Sequence, residues 1–415
     1  MEESRCPHAH VLDKTGRDVH AEGALLREQP AARVELPGGV LGWSINGYAN
    51  IRKVLTDTRV SKDPRQHWPA FVNGEIGPDW EMASWIAMDN MTTAYGADHV
   101  RLRKLISKAF TPRRVEVMRP RIELMVAELL DCIAANPVGG PVDLKRCFAY
   151  QLPAAMICDL FGVPQEQRAA ALAGGEATVD TTMTPEQAEA NVAMWQQVLL
   201  DLVELKRREP DDDMTTDLIA AQSEDGSRLT DSELVGTLFL ALGAGSETVM
   251  NLLSKAVYHL LCNPEQLELV LSGQYSWDDV TEEALRLEGP IAQLPLRFAI
   301  EDIEVGGVTI PAGDPILIGF TAAGRDPERH GPRADSFDIT RRDKEHMAFG
   351  YGIHYCIGAS LARLEMSIAL PALFARFPEM TLAVAPEEME PQGTFIMNGF
   401  STLPVYLSAP VPATV

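Results

Sequence analysis

The run Phe349-Gly350-Tyr351-Gly352-Ile353-His354-Tyr355-Cys356-Ile357-Gly358 sets one cysteine in a glycine-dense segment, directly ahead of a helical pattern. Amide N–H groups and the dipole at a helix start stabilise a thiolate, which lowers the pKa of a thiol placed there. Gly352 and Gly358 let backbone approach a flat ligand where a Cβ would collide. An isolated buried cysteine is ordinarily a small hydrophobe. Here the glycine spacing argues for chemistry instead. The glycines do not form a dinucleotide fingerprint, because Tyr355 occupies the last glycine position. Gly245-Ser246-Glu247-Thr248 is not a nucleophile elbow, since Thr248 replaces the second glycine. No Gly-Lys-Ser/Thr phosphate loop occurs. Glu283 and Arg286, three apart, fall on one helix face; taken alone they read as an exposed ion pair.

These residues must be held by a helix-rich scaffold. Thr230 with Glu233 makes a capping box, and apolar spacing continues to Leu261 before Asn263-Pro264 stops it. About thirty residues at 1.5 Å each give roughly 45 Å, enough to cross a whole molecule. The surroundings of Leu240 are apolar on nearly every side, so this helix is central and buried. From about Asp98 to Cys262 helical patterns dominate, broken by a Gly174-Gly175 loop and an acidic turn at 209–213. Short strands are expected at 32–36 and 40–45 around a Pro-Gly-Gly turn, at 302–305 and 308–310, and at 315–320. A helix begins near Gly358, and Pro371 should kink or end it. With no long linker, the chain reads as one domain over 1–415, mainly α with small β-sheets. Residues 1–30 form a partly irregular N-terminal extension.

The 415 residues carry 36 Lys+Arg against 59 Asp+Glu, a net charge of −23. Such a surface repels phosphate backbones and anionic membranes, so neither nucleic acid nor membrane is an expected partner. The six cysteines lack paired spacing, which argues against a disulfide framework, a zinc ribbon and covalent haem attachment through Cys-x-x-Cys-His. The opening residues lack a signal-peptide pattern, and the apolar run from Leu234 to Gly245 is too short to span a bilayer. A soluble, cytoplasmic protein is expected.

The Cys356 segment resembles the haem-thiolate signature of cytochrome P-450 monooxygenases, Phe-Gly-x-Gly-x-His/Arg-x-Cys-x-Gly, with every fixed position matched. The resemblance extends from roughly Leu36 to Leu407 and implies the P-450 fold, with haem between the long central helix and the cysteine-bearing helix. By this resemblance Cys356 is the axial thiolate of a non-covalent haem b, a ligand that favours O–O cleavage. Phe349, Gly350, Gly358 and Ala244 fall at haem-flanking positions. His99 and Arg103 resemble the family's His-x-x-x-Arg, and with Arg297 and His354 they match the positions that bind the two haem propionates. Each alone reads equally as a surface cation. Tyr95-Gly96-Ala97 replaces the Asp-Pro-Pro common before that histidine.

Glu283 and Arg286 look like the family's Glu-x-x-Arg structural clamp. Its usual third member, an arginine before a phenylalanine, is replaced by Ser336. Gly243-Ala244-Gly245-Ser246-Glu247-Thr248 is similar to the oxygen-activation motif, with Glu247 and Thr248 as the catalytic proton-delivering pair. The glycines should weaken the helix ladder and open a groove there. Family position assigns Met88, Val179, Phe239, Leu240, Ile291, Leu294, Ile396 and Met397 to the substrate pocket, and each could equally be core. The segments 63–68 and 93–99 resemble actinobacterial members that hydroxylate steroids or macrolides, of which a steroid is preferred.

The resemblance implies a monomeric monooxygenase that hydroxylates a C–H bond of a bulky apolar substrate with O2. Electrons would come from NAD(P)H through ferredoxin reductase and ferredoxin. Arg101, Lys104 and Lys108, with Arg113 and Arg114 beyond, read either as a docking stripe for an acidic ferredoxin or as a solvated helix face. Two rivals stand beside this reading. A cysteine acyl transferase using Cys356 and His354 lacks an orienting third group. A haem sensor or carrier would have no use for Glu247 and Thr248.

Overall fold

The computed structural model describes residues 9–77, 79–86, 88–107, 110–135, 140–222 and 226–408. Helices of nine residues or more among them are α1 (Val19–Arg27), α2 (Tyr48–Thr56), α3 (Gly96–Ser107), α4 (Arg119–Ala134), α5 (Gln151–Leu160), α6 (Arg168–Thr178), α7 (Pro185–Arg208), α8 (Asp231–Cys262), α9 (Trp277–Leu287) and α10 (Ala359–Arg376). The strands are β1 (His10–Val11), β2 (Ala32–Leu36), β3 (Val40–Ile45), β4 (Val60–Ser61), β5 (Val142–Asp143), β6 (Gln293–Ala299), β7 (Ile303–Val305), β8 (Val308–Ile310), β9 (Pro315–Gly319), β10 (Thr381–Leu382) and β11 (Pro404–Tyr406).

They form a six-stranded sheet ordered β1-β2-β3-β9-β6-β4, a three-stranded sheet β10-β11-β5 and the hairpin β7-β8. The Pro37-Gly38-Gly39 turn joins β2 to β3 with Ala32 opposite Ser44 and Leu36 opposite Val40, the expected hairpin. No helix among the described residues is long and apolar enough to cross a membrane.

Helix α8 is the axis. The Glu233 N–H donates to Thr230 Oγ1 at 3.2 Å and Glu233 Oε2 accepts the Thr230 N–H at 2.8 Å, so the capping box starts the helix where its sequence implies. Leu238, Leu242, Leu252, Leu253, Ala256 and Leu260 are all buried, and their burial holds a 32-residue helix that propensity alone would not.

Two expectations are corrected. Gly174 and Gly175 lie inside α6, not in a loop. A Cβ on Gly174 would come within 2.1 Å of the Trp195 ring, and one on Gly175 within 3.0 Å of Gly243 Cα. These glycines therefore let α6 lie against α7 and α8. Helix α10 runs through Pro371. Ala369, Leu370, Leu373 and Phe374 around it are buried, and that packing outweighs a proline cost of about 3 kcal/mol. The N-terminal stretch contains α1, capped by Asp18, whose side chain accepts the Ala21 N–H at 2.9 Å.

Candidate active site

The cysteine loop is fixed by backbone. The Gly350 N–H donates to Met347 O at 2.8 Å, and the Cys356 N–H to Phe349 O at 2.8 Å. Gly350 and Gly352 both hold φ of +73°, which a side chain would disfavour. A Cβ on Gly352 would lie 2.8 Å from Leu55 O, so this glycine seats the loop on the end of α2 rather than admitting a ligand, which corrects its expected use. Gly358 precedes α10, and a Cβ there would stand 3.8 Å from Cys356 Sγ. The Cys356 side chain is open to solvent, yet desolvation by the surrounding protein raises its thiol, and the Gly358 amide, Arg103 and the Ala359 amide only partly offset it. The helix start alone therefore does not make the thiolate. A cation against the sulfur would reverse that balance.

Cys356 faces a cavity of about 310 Å³, far beyond a single-water void. Ala244, Glu247 and Thr248 of α8 line it, as do Phe349, Gly350, His354 and Gly358 of the cysteine segment. Of the expected substrate residues, Val179, Phe239, Leu240, Ile291, Leu294 and Met397 reach the cavity. Met88 and Ile396 are packed in the core instead, Met88 with its sulfur beside the Gln196 amide and Ile396 with its carbonyl bonded to the Ala292 N–H. Trp85, missed in the sequence, also lines the cavity and donates Nε1–H to Thr178 O at 3.1 Å.

One edge of the cavity gathers cations. Arg103 donates Nη2–H to Tyr355 O at 2.7 Å. His99 and His354 lie with ring centroids 4.2 Å apart, and both His99 ring nitrogens are buried without a partner. Arg297 on β6 is buried with Nη1 unpartnered. Ser61 of β4 pairs with Phe298, which brings Lys62 abreast of Arg297. Burial and Arg297 push the Lys62 ammonium well down; burial pushes Arg297 down to about 10. Burial, then Lys62 and Arg297, lower His354. Asp63 is turned away, its carboxylate accepting from the Arg65 N–H and the Gln66 amide. Buried like charges side by side with unpartnered donors form a site for an anion. Two haem propionates fit it. The sequence concealed Lys62 because nothing but tertiary pairing puts it beside Arg297.

Helix α8 shows no break at Gly243–Gly245. Its glycines serve close packing: a Cβ on Gly245 would meet Ile157 at 2.6 Å. The Thr248 hydroxyl donates to Ala244 O at 2.9 Å. Burial raises the Glu247 carboxyl, and its Oε2 accepts from Gln392 at 3.0 Å.

Glu283 and Arg286 are fully buried and joined by two hydrogen bonds of 2.8 and 2.7 Å, which corrects the exposed-pair reading. Main chain fills the missing third place. Arg286 donates to the carbonyls of Gly324, Ala334 and Ser336, and the Asp338 N–H donates to Glu283 Oε1 at 2.9 Å. Arg341 Nε lies 3.6 Å from the same oxygen. In the basic stripe, Arg101 pairs with Glu233 and Arg114 with Asp217, so both charges are partly neutralised. Lys108 lies outside the described residues.

A cysteine and an acid–alcohol pair lining one cavity, with basic side chains gathered beside them, fit a haem-thiolate oxygenase. A family model described as Cytochrome P450 matches residues 277–404. The 2-hydroxy-5-methyl-1-naphthoate 7-hydroxylase of Streptomyces carzinostaticus is 53% identical over 403 residues, 97% of this chain and 98% of that protein. The vitamin D(3) 25-hydroxylase of Pseudonocardia autotrophica is 40% identical over 385 residues, 93% of this chain and 92% of its own. Testosterone-bound CYP154C4 from Streptomyces sp. ATCC 11861 superposes with a TM-score of 0.93 at 43% identity, covering 97% of this chain and 99% of that one. The chain belongs to the cytochrome P450 family. It is a monooxygenase, and its cofactor is haem with an axial cysteine thiolate.

Proposed function

We propose that this P450 hydroxylates a bulky, uncharged polycyclic substrate of steroid type, as a monomer, with electrons from NAD(P)H through ferredoxin reductase and ferredoxin. The observation that carries the substrate reading is the division of the cavity. The basic side chains lining it among the described residues, Lys62, Arg103, Arg297 and His354, are gathered together, and Val179, Phe239, Leu240, Ile291, Leu294 and Met397 give it an apolar lining. Relatives acting on vitamin D(3) or holding testosterone support it.

Cys356 would supply the axial thiolate, Lys62, His99, Arg103, Arg297 and His354 would hold the propionates, and Phe349, Gly350, Gly358 and Ala244 would flank the ring. When bound, haem supplies O2 activation and C–H oxidation. The chain supplies the rest. The apolar wall orients the substrate and excludes water. Glu247, its proton affinity raised by burial, holds a transferable proton at a carboxyl oxygen. Thr248 presents its Oγ1 lone pairs toward the cavity while its hydrogen is bonded to Ala244 O.

A second reading, an aromatic polyketide acid, is favoured by the 53% identity to the naphthoate hydroxylase. Its carboxylate would have to find a partner on the apolar wall. A reduced, carbon monoxide-bound difference spectrum tests the thiolate: a strongly red-shifted Soret band should appear and be lost in Cys356→Ala. Titration of the ferric protein with a steroid, a naphthoate and a macrolactone then tests the substrate. Tightest binding of the steroid is expected; tightest binding of the naphthoate would establish the second reading.

A further inference from the structure

Glu247 and Asn251 lie one turn apart on α8, and a single side chain from the C-terminal part of the chain touches both. Gln392 sits in the turn before Gly393, whose φ is +87°. Its Nε2 donates to Glu247 Oε2 at 3.0 Å, and its Oε1 accepts from Asn251 Nδ2 at 2.8 Å. The Gln392 N–H is anchored to Gly399 O at 3.0 Å. A Cβ on Gly399 would lie 2.3 Å from both Asn251 Oδ1 and Gln392 Oε1, so glycine there is what leaves room for the amide pair. Asn251 and Glu247 are buried, whereas Gln392 is half-buried. The glutamine thus stands between the enclosed acid and the surface.

We propose that Gln392 is a positioning residue, which fixes the orientation of the Glu247 carboxyl and tunes how tightly it holds its proton. This rests on the reading of Glu247 as the proton donor. An N–H that donates to a carboxylate favours the charged form, and burial favours the neutral one. The other groups that act on Glu247 come from separate elements. Lys145, in the turn of helix before α5, favours the carboxylate, and Glu176 on α6 opposes it. Tyr150 interacts with Glu176 and also feels Glu247. Lys145 itself is committed to Phe400 O, and no second side-chain donor to Glu247 occurs among the described residues. Gln392 is therefore the contact that offsets burial directly. Without it the acid should keep its proton to higher pH and lose its fixed direction. A donor that shares its proton efficiently has an affinity matched to the working pH.

The test is a series at one position in the haem-loaded protein. Gln392→Met keeps the shape and removes the donor. Gln392→Glu keeps the size and replaces the donor by an acid. Gln392→Lys keeps a donor and adds charge. The readout in the resting ferric protein is the infrared band of the protonated Glu247 carboxyl against pH, assigned by its loss in Glu247→Gln. The readout in turnover is the high-pH limb of product formed per NAD(P)H consumed, with hydrogen peroxide as the remainder. Met and Glu should move the midpoint up by about one pH unit, and Lys should move it down. A merely structural contact would shift all three alike, and shifts of one sign, or none, would overturn the proposal. If Glu247→Gln couples as well as wild type, the donor reading fails, while the infrared shifts still judge the Gln392–Glu247 link.

Discussion

Lys62, just past the end of β4, stands beside Arg297 on β6, both buried, with no carboxylate among the described residues offsetting either charge. Directly opposed like charges destabilise a strand pair. An anion between them turns that liability into a binding site.

The pair makes a prediction with two signs. Lys62→Met should leave the haem-free protein as stable as wild type or more so, because a buried like-charge contact is relieved. The same change should speed haem release by about tenfold or more, since a charge-assisted hydrogen bond contributes about 1.5–3 kcal/mol. Transfer of haem to an apoglobin acceptor, beside thermal melts of both forms, measures the two effects. Equal destabilisation of both forms would refute an anion-binding role.

Arg286 satisfies Glu283 and three backbone carbonyls from a fully buried position. Removing one partner of a buried ion pair costs about 3–5 kcal/mol. Arg286→Ala should therefore lower the chemical-denaturation free energy by at least that much, through the segment 324–338 it fastens. Loss below 1 kcal/mol would mean that water replaces the guanidinium.

Gly174 meets the Trp195 ring where a Cβ would stand 2.1 Å away, and Gly140 has nothing within 4 Å. Gly174→Ala should cost about 1–3 kcal/mol by overpacking, and Gly140→Ala should be close to neutral. Thermal melts of the two proteins separate close helix packing from a general dislike of alanine for glycine.

Acid should destabilise the fold through His330. Burial, then Arg286, Arg329 and Arg341, push it down to about 4. Because the folded value lies below the unfolded value of about 6.5, the stability tied to neutral His330 is present above pH 6.5. It is lost as pH falls from there toward 4. His330→Gln should flatten the decline of the thermal midpoint between pH 7 and 5. An unchanged slope would place the acid sensitivity elsewhere.

Local signals were legible where the responsible residues are neighbours in sequence. The Thr230–Glu233 capping box and the Pro37-Gly38-Gly39 turn act over a few residues, so their elements fall where the pattern puts them. Gly174-Gly175 and Pro371 were misread because a glycine or proline looks the same in a loop and in a packed helix. What distinguishes the cases is the Trp195 ring, Gly243 and the buried faces of α10, all supplied by tertiary packing.

The sequence by itself determined the family and the residues that meet at the cavity, because the Cys356 segment and the Glu247-Thr248 pair are contiguous and their spacing is their meaning. The tertiary structure alone decided who their neighbours are. Lys62 joins Arg297 through the pairing of β4 with β6, and Gln392 reaches Glu247 across 145 positions. Main-chain carbonyls replace the missing third member of the Glu283–Arg286 clamp. Such contacts depend on strand pairing and on the burial that makes an unpartnered charge costly, and neither is encoded within a short stretch of chain.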